Sequence, residues 1–449
     1  MRAATTKPAI SSSGLSLLAL GGGLVLLALI LFARIPGGGS SGNATTAGSV
    51  NAADPYAATS ENIAFWEARV KADPASFTAY NRLAMGYIQR GRETGDVSNY
   101  ASAQAAVQAS LDSLPGDNYD AYALLAYLQN VRHDFAGSLE TARHAATLDP
   151  GDSFAQEVIG DNELALGQYE EGFETYDRLA NDYPSLSTFS RLAHIYEIRG
   201  DLGNAEGAWK NAIELDAGKN LETTAWARTQ YGTFLFNQGR SSEADDQFEA
   251  ALRVFPGYIH AHAGQGNVAA AYGDTDRAIE LYTQVTERQP LPQYVAQLGD
   301  VYEAAGMRAE ADRQYELIGV IEQLYQANGI NVDLQMSLFF ADHDTQIDEA
   351  VRQAMGALTA QPGSVYAADA VAWALHKAGR SEEALPYAQQ ALSQGTQDAS
   401  FFYHMGMIQQ SLGSDDDARD ALRQALAVNP RFSPLQAPIA QQALKELGG

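Results

Sequence analysis

Residues 231–290 read YGTFLFNQGRSSEADDQFEAALRVFPGYIHAHAGQGNVAAAYGDTDRAIELYTQVTERQP. Shifted by 34 residues, the stretch lays Gly232 on Gly266, Gly239 on Gly273, Ala244 on Ala278, Phe248 on Tyr282 and Pro256 on Pro290. Glycine and proline are the strongest local breakers of regular structure. The segments between them are alanine-rich and amphipathic, with none of the alternation that marks strands. Each half therefore predicts a helix, a turn at the glycine, and a second helix closed by the proline. A fixed period of this length is the signature of a repeat architecture.

The period extends in both directions. Closing prolines stand at Pro74, Pro115, Pro150, Pro184, Pro256, Pro290, Pro362 and Pro430, and 115→150, 150→184 and 256→290 are steps of 35, 34 and 34. The steps 290→362 and 362→430, at 72 and 68, are close to two periods. A second series, Gly167, Gly200, Gly239, Gly273, Gly306, Gly379 and Gly413, marks the turns inside the units. Small residues recur where two helices approach: Gly160, Gly232, Gly266, Gly299 and Gly406 on first helices, and Ala205, Ala244, Ala278, Ala311, Ala384 and Ala418 on second helices. Larger side chains there would force the helices apart. Tyr176, Trp209, Phe248, Tyr282 and Tyr315 supply the bulk that fills the space between units.

With these residues in phase, the chain resembles the tetratricopeptide repeat family. Its last unit carries Phe402, Met405-Gly406, Ala418, Leu422, Ala425 and Pro430, and another carries Leu192-Ala193, Tyr196, Ala205, Trp209 and Ala212. The resemblance covers residues 75–430, or about nine or ten units, and implies an all-α, right-handed α-α superhelix. A single unit cannot bury its apolar face alone, so neighbours must stack. Residues 60–74 predict a capping helix with Ser60 at its N-cap, and residues 431–449 a capping helix at the other end. Three places depart from the pattern. Arg90–Tyr100 predicts a first inter-helix turn lengthened by about seven residues, the junction at Asp216–Leu221 is stretched, and residues 316–345 predict either a longer second helix or a joint between subarrays.

Upstream of the repeats, residues 15–33 read LSLLALGGGLVLLALILFA, 19 residues without a charge. As a helix this run would span roughly 28 Å, near the thickness of a bilayer core. Arg2 and Lys7 precede it and Arg34 follows. The run is longer than the apolar core of a signal peptide, which predicts an uncleaved transmembrane signal-anchor. The charge bias predicts a short cytoplasmic segment, residues 1–14, with the repeats outside a prokaryotic cytoplasmic membrane. Residues 34–59 are rich in Gly, Ser, Thr and Ala and predict a flexible linker. The stretch from Pro36 to Ala53 alone has a mean reach of roughly 21–25 Å.

Composition narrows the chemistry. The 449 residues carry 29 Lys+Arg against 55 Asp+Glu, a formal charge of −26. That balance disfavours nucleic acid and broad contact with anionic lipid. There is no cysteine, which excludes disulfides, thiolate metal sites and a cysteine nucleophile. His260 and His262 are two residues apart and point to different faces of a helix, Asp342-His343-Asp344 reads as a polar turn, and Ser414–Asp417 lacks the distal glutamate of a calcium loop. No HExxH, phosphate loop or GxSxG occurs. The sequence thus predicts no enzyme, no cofactor, no metal and no small-molecule substrate.

What the resemblance implies instead is a concave groove lined by first helices. Counting from the motif phase, the residues facing it include Tyr127, Asn130, Glu157, Asp161, His194, Glu197, Thr229, Thr233, Phe236, Asn267, Asp300, Glu303, Asp369, Trp373, His376, Tyr403 and Met407. The basic clamp with which some family members hold C-terminal carboxylates is missing at these positions. Carboxylates and aromatics in the groove predict protein or peptide partners with basic or aromatic-containing segments. The expected role is a membrane-tethered scaffold for complex assembly at the cell envelope. The alternatives are a self-assembling structural envelope protein and a substrate-delivery subunit of a separate envelope enzyme.

Overall fold

The computed structural model describes residues 57–216 and 221–449. The anchor at 15–33 lies outside the described residues, as does most of the linker. Among the described residues there are 22 helices and no strand, and no helix is long and apolar enough to cross a membrane.

The first helix, α1 (Ala57–Ala72), caps the stack. It starts before Ser60, so Ser60 is not the N-cap; its hydroxyl accepts a hydrogen bond from Arg90 instead. Ten helix pairs follow. They are α2 (Phe77–Thr94) with α3 (Ser98–Ser113), α4 (Tyr119–Val131) with α5 (Phe135–Leu148), α6 (Ser153–Ala165) with α7 (Tyr169–Asp182), α8 (Leu186–Ile198) with α9 (Leu202–Asp216), and α10 (Leu221–Asn237) with α11 (Ser241–Val254). The second five are α12 (Ile259–Tyr272) with α13 (Thr275–Arg288), α14 (Pro292–Ala304) with α15 (Arg308–Ala327), α16 (Asp333–Asp342) with α17 (Ile347–Ala360), α18 (Val365–Lys377) with α19 (Ser381–Ala391), and α20 (Ala399–Ser411) with α21 (Asp415–Val428). The chain ends in α22 (Gln436–Glu446), packed on α21. Successive helices pack against one another, least at the step from α15 to α16, and several first helices also meet the next first helix. This is the one-dimensional packing of a solenoid.

Local chemistry explains the pairs. Asn118, Asp134, Asp152, Asp274, Ser364 and Asp398 cap helix N-termini with side-chain oxygens, satisfying otherwise orphaned amides. The close-approach glycines are sterically required. A Cβ on Gly232 would lie 2.6 Å from Phe248, and one on Gly299 would lie 2.3 Å from Tyr315. Trp209, Tyr176, Phe248 and Tyr282 are fully buried between units.

Two irregular regions resolve differently from each other. The extra residues near Arg90 do not lengthen the first turn; they extend α2 to 18 residues, ending in Gly95 with a left-handed conformation. Residues 316–345 hold the end of a long second helix of 20 residues, which closes the seventh unit, and a short first helix of 10, which opens the eighth. Its turn uses Asp344 at φ 51°, and the second unit uses His133 at φ 62°, where other units place glycine.

One feature was not anticipated from sequence: the spiral closes on itself. The turn inside each of the first five units sits on a junction between units one circuit later. Gln289 donates to the carbonyl of Glu93 at 2.9 Å, and His133 hydrogen-bonds the backbone of Asn331. Val365 N–H donates to the Tyr169 hydroxyl at 3.0 Å, and Gly363 N–H to the Leu166 carbonyl at 3.2 Å. Thr396 donates to the Ile198 carbonyl at 2.6 Å, and the Asn429 amide to the Phe236 carbonyl at 2.8 Å. Four of these contacts join residues 196, 196, 198 and 193 apart, so one circuit takes a nearly constant length of chain.

Candidate functional site: an inner cavity of the helix spiral

Because the circuits touch, the inner surface forms a half-open cavity of about 480 Å³. Its wall comes mainly from the first helices α8, α10, α14, α16, α18 and α20, with Gln436 of α22 at one side. The cavity is lined by five carboxylates (Glu197, Asp300, Asp342, Asp369, Asp398) and three histidines (His194, His343, His404), and by no lysine or arginine. Phe234, Phe339, Tyr366 and Phe401 give it aromatic faces, and Gln230, Gln293, Gln297 and Gln335 give it amides.

Two histidines pair with carboxylates. His343 Nε2 lies 2.8 Å from Asp300, and His404 Nδ1 lies 2.9 and 3.0 Å from the two oxygens of Asp369. Burial pulls His404 down, but Asp369 outweighs it and holds the imidazole above its ordinary pKa. His194 has no such partner. Burial, with help from Arg191, lowers its pKa to about 4, so it is neutral at pH 7. Its ring is parallel to Tyr366, with centroids 6.1 Å apart.

The remaining carboxylates have polar but uncharged partners. Glu197 accepts from the Trp209 indole at 2.7 Å, Asp342 accepts from the Trp373 indole and the Gln436 amide, both at 2.7 Å, and Asp398 caps α20. Desolvation, only partly offset by the Trp209 hydrogen bond, raises Glu197 to about 7. A carboxyl raised in the folded state favours folding while it is protonated. That advantage is complete below about pH 4.5 and is lost as pH rises through 7. Glu197→Gln is therefore expected to match the parent near pH 4 and to exceed it above pH 7, by up to about 3 kcal/mol. Melting temperatures measured across this range check it; a variant less stable than the parent at pH 8 would contradict it.

The residues counted toward the groove scatter. His194, Asp300 and Asp369 line the cavity. Phe236 and Asn267, with Asp300 shared between the two spaces, line a second pocket of about 400 Å³ at the rim, between the turns of α12 and α14 and the segment Pro430–Pro434. Trp373 and Tyr403 are a layer behind the cavity wall, Trp373 stacked on His404 with centroids 4.2 Å apart. His376, also stacked on Trp373, is half-buried, as are Glu303 and Met407. Tyr127, Glu157 and Asp161 are a correction: they are buried and face no groove. The neighbouring helices α7 and α8 cover Glu157 and Asp161 there with their own side chains. Asp161 receives Arg191 Nε and Nη2, each at 3.0 Å, in a pair that is essentially unexposed. The Tyr176 hydroxyl bridges Asp161 and the Glu157 carbonyl, and Ser187 donates to the Glu157 carboxylate at 2.5 Å. Sequence counting missed Asp342, Asp398 and His404 as members of this cavity. Glu197 and Thr233, counted as facing the groove, line it.

Three segments match family models described as tetratricopeptide repeat: residues 158–185, 232–292 and 399–432. They coincide with helix pairs of the spiral. The chain is a tetratricopeptide-repeat protein. Among similar proteins, the tetratricopeptide-repeat chain is 25% identical over 270 residues to the CTR9 homolog of Arabidopsis thaliana, covering 57% of this chain and 24% of that protein. It is 23% identical over 289 residues to Superkiller protein 3 of Schizosaccharomyces pombe, covering 61% and 20%. It is 31% identical over 100 residues to an uncharacterized protein of Haemophilus influenzae, covering 22% and 51%. The chain thus spans a quarter or less of the first two of these relatives. Solved structures that resemble it include the APC/C hetero-tetramer Cut9-Hcn1, at 13% identity, 87% and 93% coverage and a TM-score of 0.38. Yeast Tom70 aligns at 13% identity, 81% and 96% coverage and a TM-score of 0.33.

Proposed function

We propose that this tetratricopeptide-repeat protein is a non-enzymatic scaffold that binds protein partners at a prokaryotic cell envelope. The apolar run at 15–33 tethers it to the cytoplasmic membrane, and the repeats lie on the outer side. The support for the tether is the length of that run and the charges at Arg2 and Lys7. A reporter fused at Gly449 and active only in the cytoplasm would refute this orientation. Tethering concentrates a partner near the bilayer without new contacts.

The observation that carries partner binding is the rim pocket. Phe236, Asn267 and Asp300 converge there, and Tyr272 stands beside them 56% exposed with the Arg431 guanidinium over its ring at 5.2 Å. An exposed aromatic beside a polar-lined recess is the chemistry of an interface anchor. An aromatic or basic segment of a partner would dock beside Tyr272 and reach Asp300. A photo-crosslinking residue placed at Tyr272 in intact cells tests this. The expected result is an adduct with a different polypeptide that Asn267→Arg abolishes; failure to form any adduct would refute it.

Self-assembly is the second reading. Leu317 and Val320 on α15 and Met355 on α17 are 36%, 61% and 40% exposed. The two second helices are neighbours, joined by Gln353 to Glu322 at 2.9 Å. An adduct of two copies, and a mass that doubles with concentration, would favour this reading.

A further inference from the structure

The inner cavity has more acceptors than its own donors satisfy. Once His343 and His404 are assigned to Asp300 and Asp369, the lining retains Glu197, Asp342 and Asp398 without a cationic partner, and no lysine or arginine borders the space. Three buried amide oxygens in the lining, those of Gln293, Gln297 and Gln335, also lack a hydrogen-bond partner, as does one amide nitrogen, that of Gln335. So does Nδ1 of His194, a side chain only 6% exposed. Buried polar groups are almost always satisfied in native proteins, so a cluster of orphans around one space points to an occupant.

The wall chemistry defines that occupant. Carboxylates and amide oxygens require a donor-rich cation, and an ammonium or guanidinium group carries three or five donors and no acceptor. The Tyr366, Phe401 and Phe339 rings offer apolar surface and faces that attract cations. A bare metal ion fits less well, because the described residues contain no grouping of three His, Asp or Glu placed to hold one. A volume of about 480 Å³ lies within the range of small-molecule sites. There is also a way in. An outer cleft of about 400 Å³ shares Phe234, Gln238 and Gln397 with the cavity, and the Gln238 amide reaches the Gln397 carbonyl at a long 3.4 Å.

We propose that the inner cavity binds a small organic cation, an ammonium or guanidinium group on an apolar or aromatic body, seated between Glu197 and Tyr366. This departs from the sequence expectation of no small-molecule ligand, and it does not depend on the partner-binding reading at Tyr272.

Calorimetry on the full chain in detergent tests it with benzylamine and agmatine as probes and benzyl alcohol as the neutral isostere. The expected result is one site per chain for at least one amine, with benzyl alcohol at least tenfold weaker. Glu197→Gln should weaken the amine tenfold or more, leave benzyl alcohol unchanged, and melt no lower than the parent. Equal affinity for benzylamine and benzyl alcohol, or no binding of either amine, would overturn the proposal. Binding of a short arginine-containing peptide without binding of the free amines would also overturn it, by assigning the cavity to a partner's side chain.

Discussion

Arg191→Ala is expected to lower the folding stability of the units around it by about 3–5 kcal/mol. Asp161 and Arg191 are almost completely buried, with exposures of 0% and 1%, and the guanidinium meets the carboxylate through two parallel contacts of 3.0 Å. Alanine leaves a desolvated carboxylate whose remaining donor is the Tyr176 hydroxyl. The cost comes from that stranded charge, because the intact pair has itself given up the hydration of two ions. A double change, Asp161→Leu with Arg191→Met, is therefore expected to recover most of the loss, with Tyr176 still bonded to the Glu157 carbonyl at 2.7 Å. Urea unfolding of the parent and both variants checks this. A single variant within about 1 kcal/mol of the parent would mean that water reaches Asp161.

Gly167→Ala is expected to break one rung of the contact between circuits. Gly167 has φ +75°, and a Cβ there would lie 2.0 Å from the carbonyl carbon of Gly363. A backbone neighbour at that distance cannot rotate away. Gly379→Ala is a matched control, with the same φ of +75° but nothing within 4 Å of its added Cβ. The control should lose about 1–2 kcal/mol from the left-handed conformation alone. Gly167→Ala should lose that and roughly 1–3 kcal/mol more from forced displacement. Hydrogen exchange localises the effect: the Val365 amide, which donates to Tyr169, should lose protection in Gly167→Ala and keep it in Gly379→Ala. Equal behaviour of the two variants would show that the circuits do not touch in solution.

The helix pairs were legible in the sequence because their determinants are local. Gly232 and Phe248, or Gly299 and Tyr315, meet within one unit, so the 34-residue period displays them directly. The turn at His133 was harder to see, since a histidine takes the left-handed conformation that glycine marks elsewhere. Closure of the spiral left no comparable trace. Its contacts join residues nearly 200 apart through Gln289, Thr396, Asn429 and bare backbone, residue types that are ordinary at a unit junction. Groove phase was therefore only half informative. It brought His194, Asp300 and Asp369 to the cavity but sent Tyr127, Glu157 and Asp161 into the core. The next first helix, α8, supplies Arg191 and Ser187 to cover Asp161 and Glu157.

The closed spiral is what makes a cavity of the inner surface, and a spin-label distance tests it most directly. The chain has no native cysteine, so Asp201→Cys with Gln397→Cys gives two unique labels. Asp201 follows Gly200, whose added Cβ would meet the Gly395 carbonyl oxygen at 2.2 Å and the Gln397 side chain at 3.5 Å. The closed spiral predicts a short, narrow distance between the labels in the intact protein. An open stack would set them roughly 40–50 Å apart, about five unit steps at the usual 8–10 Å helix spacing, and a distribution centred there would contradict the account.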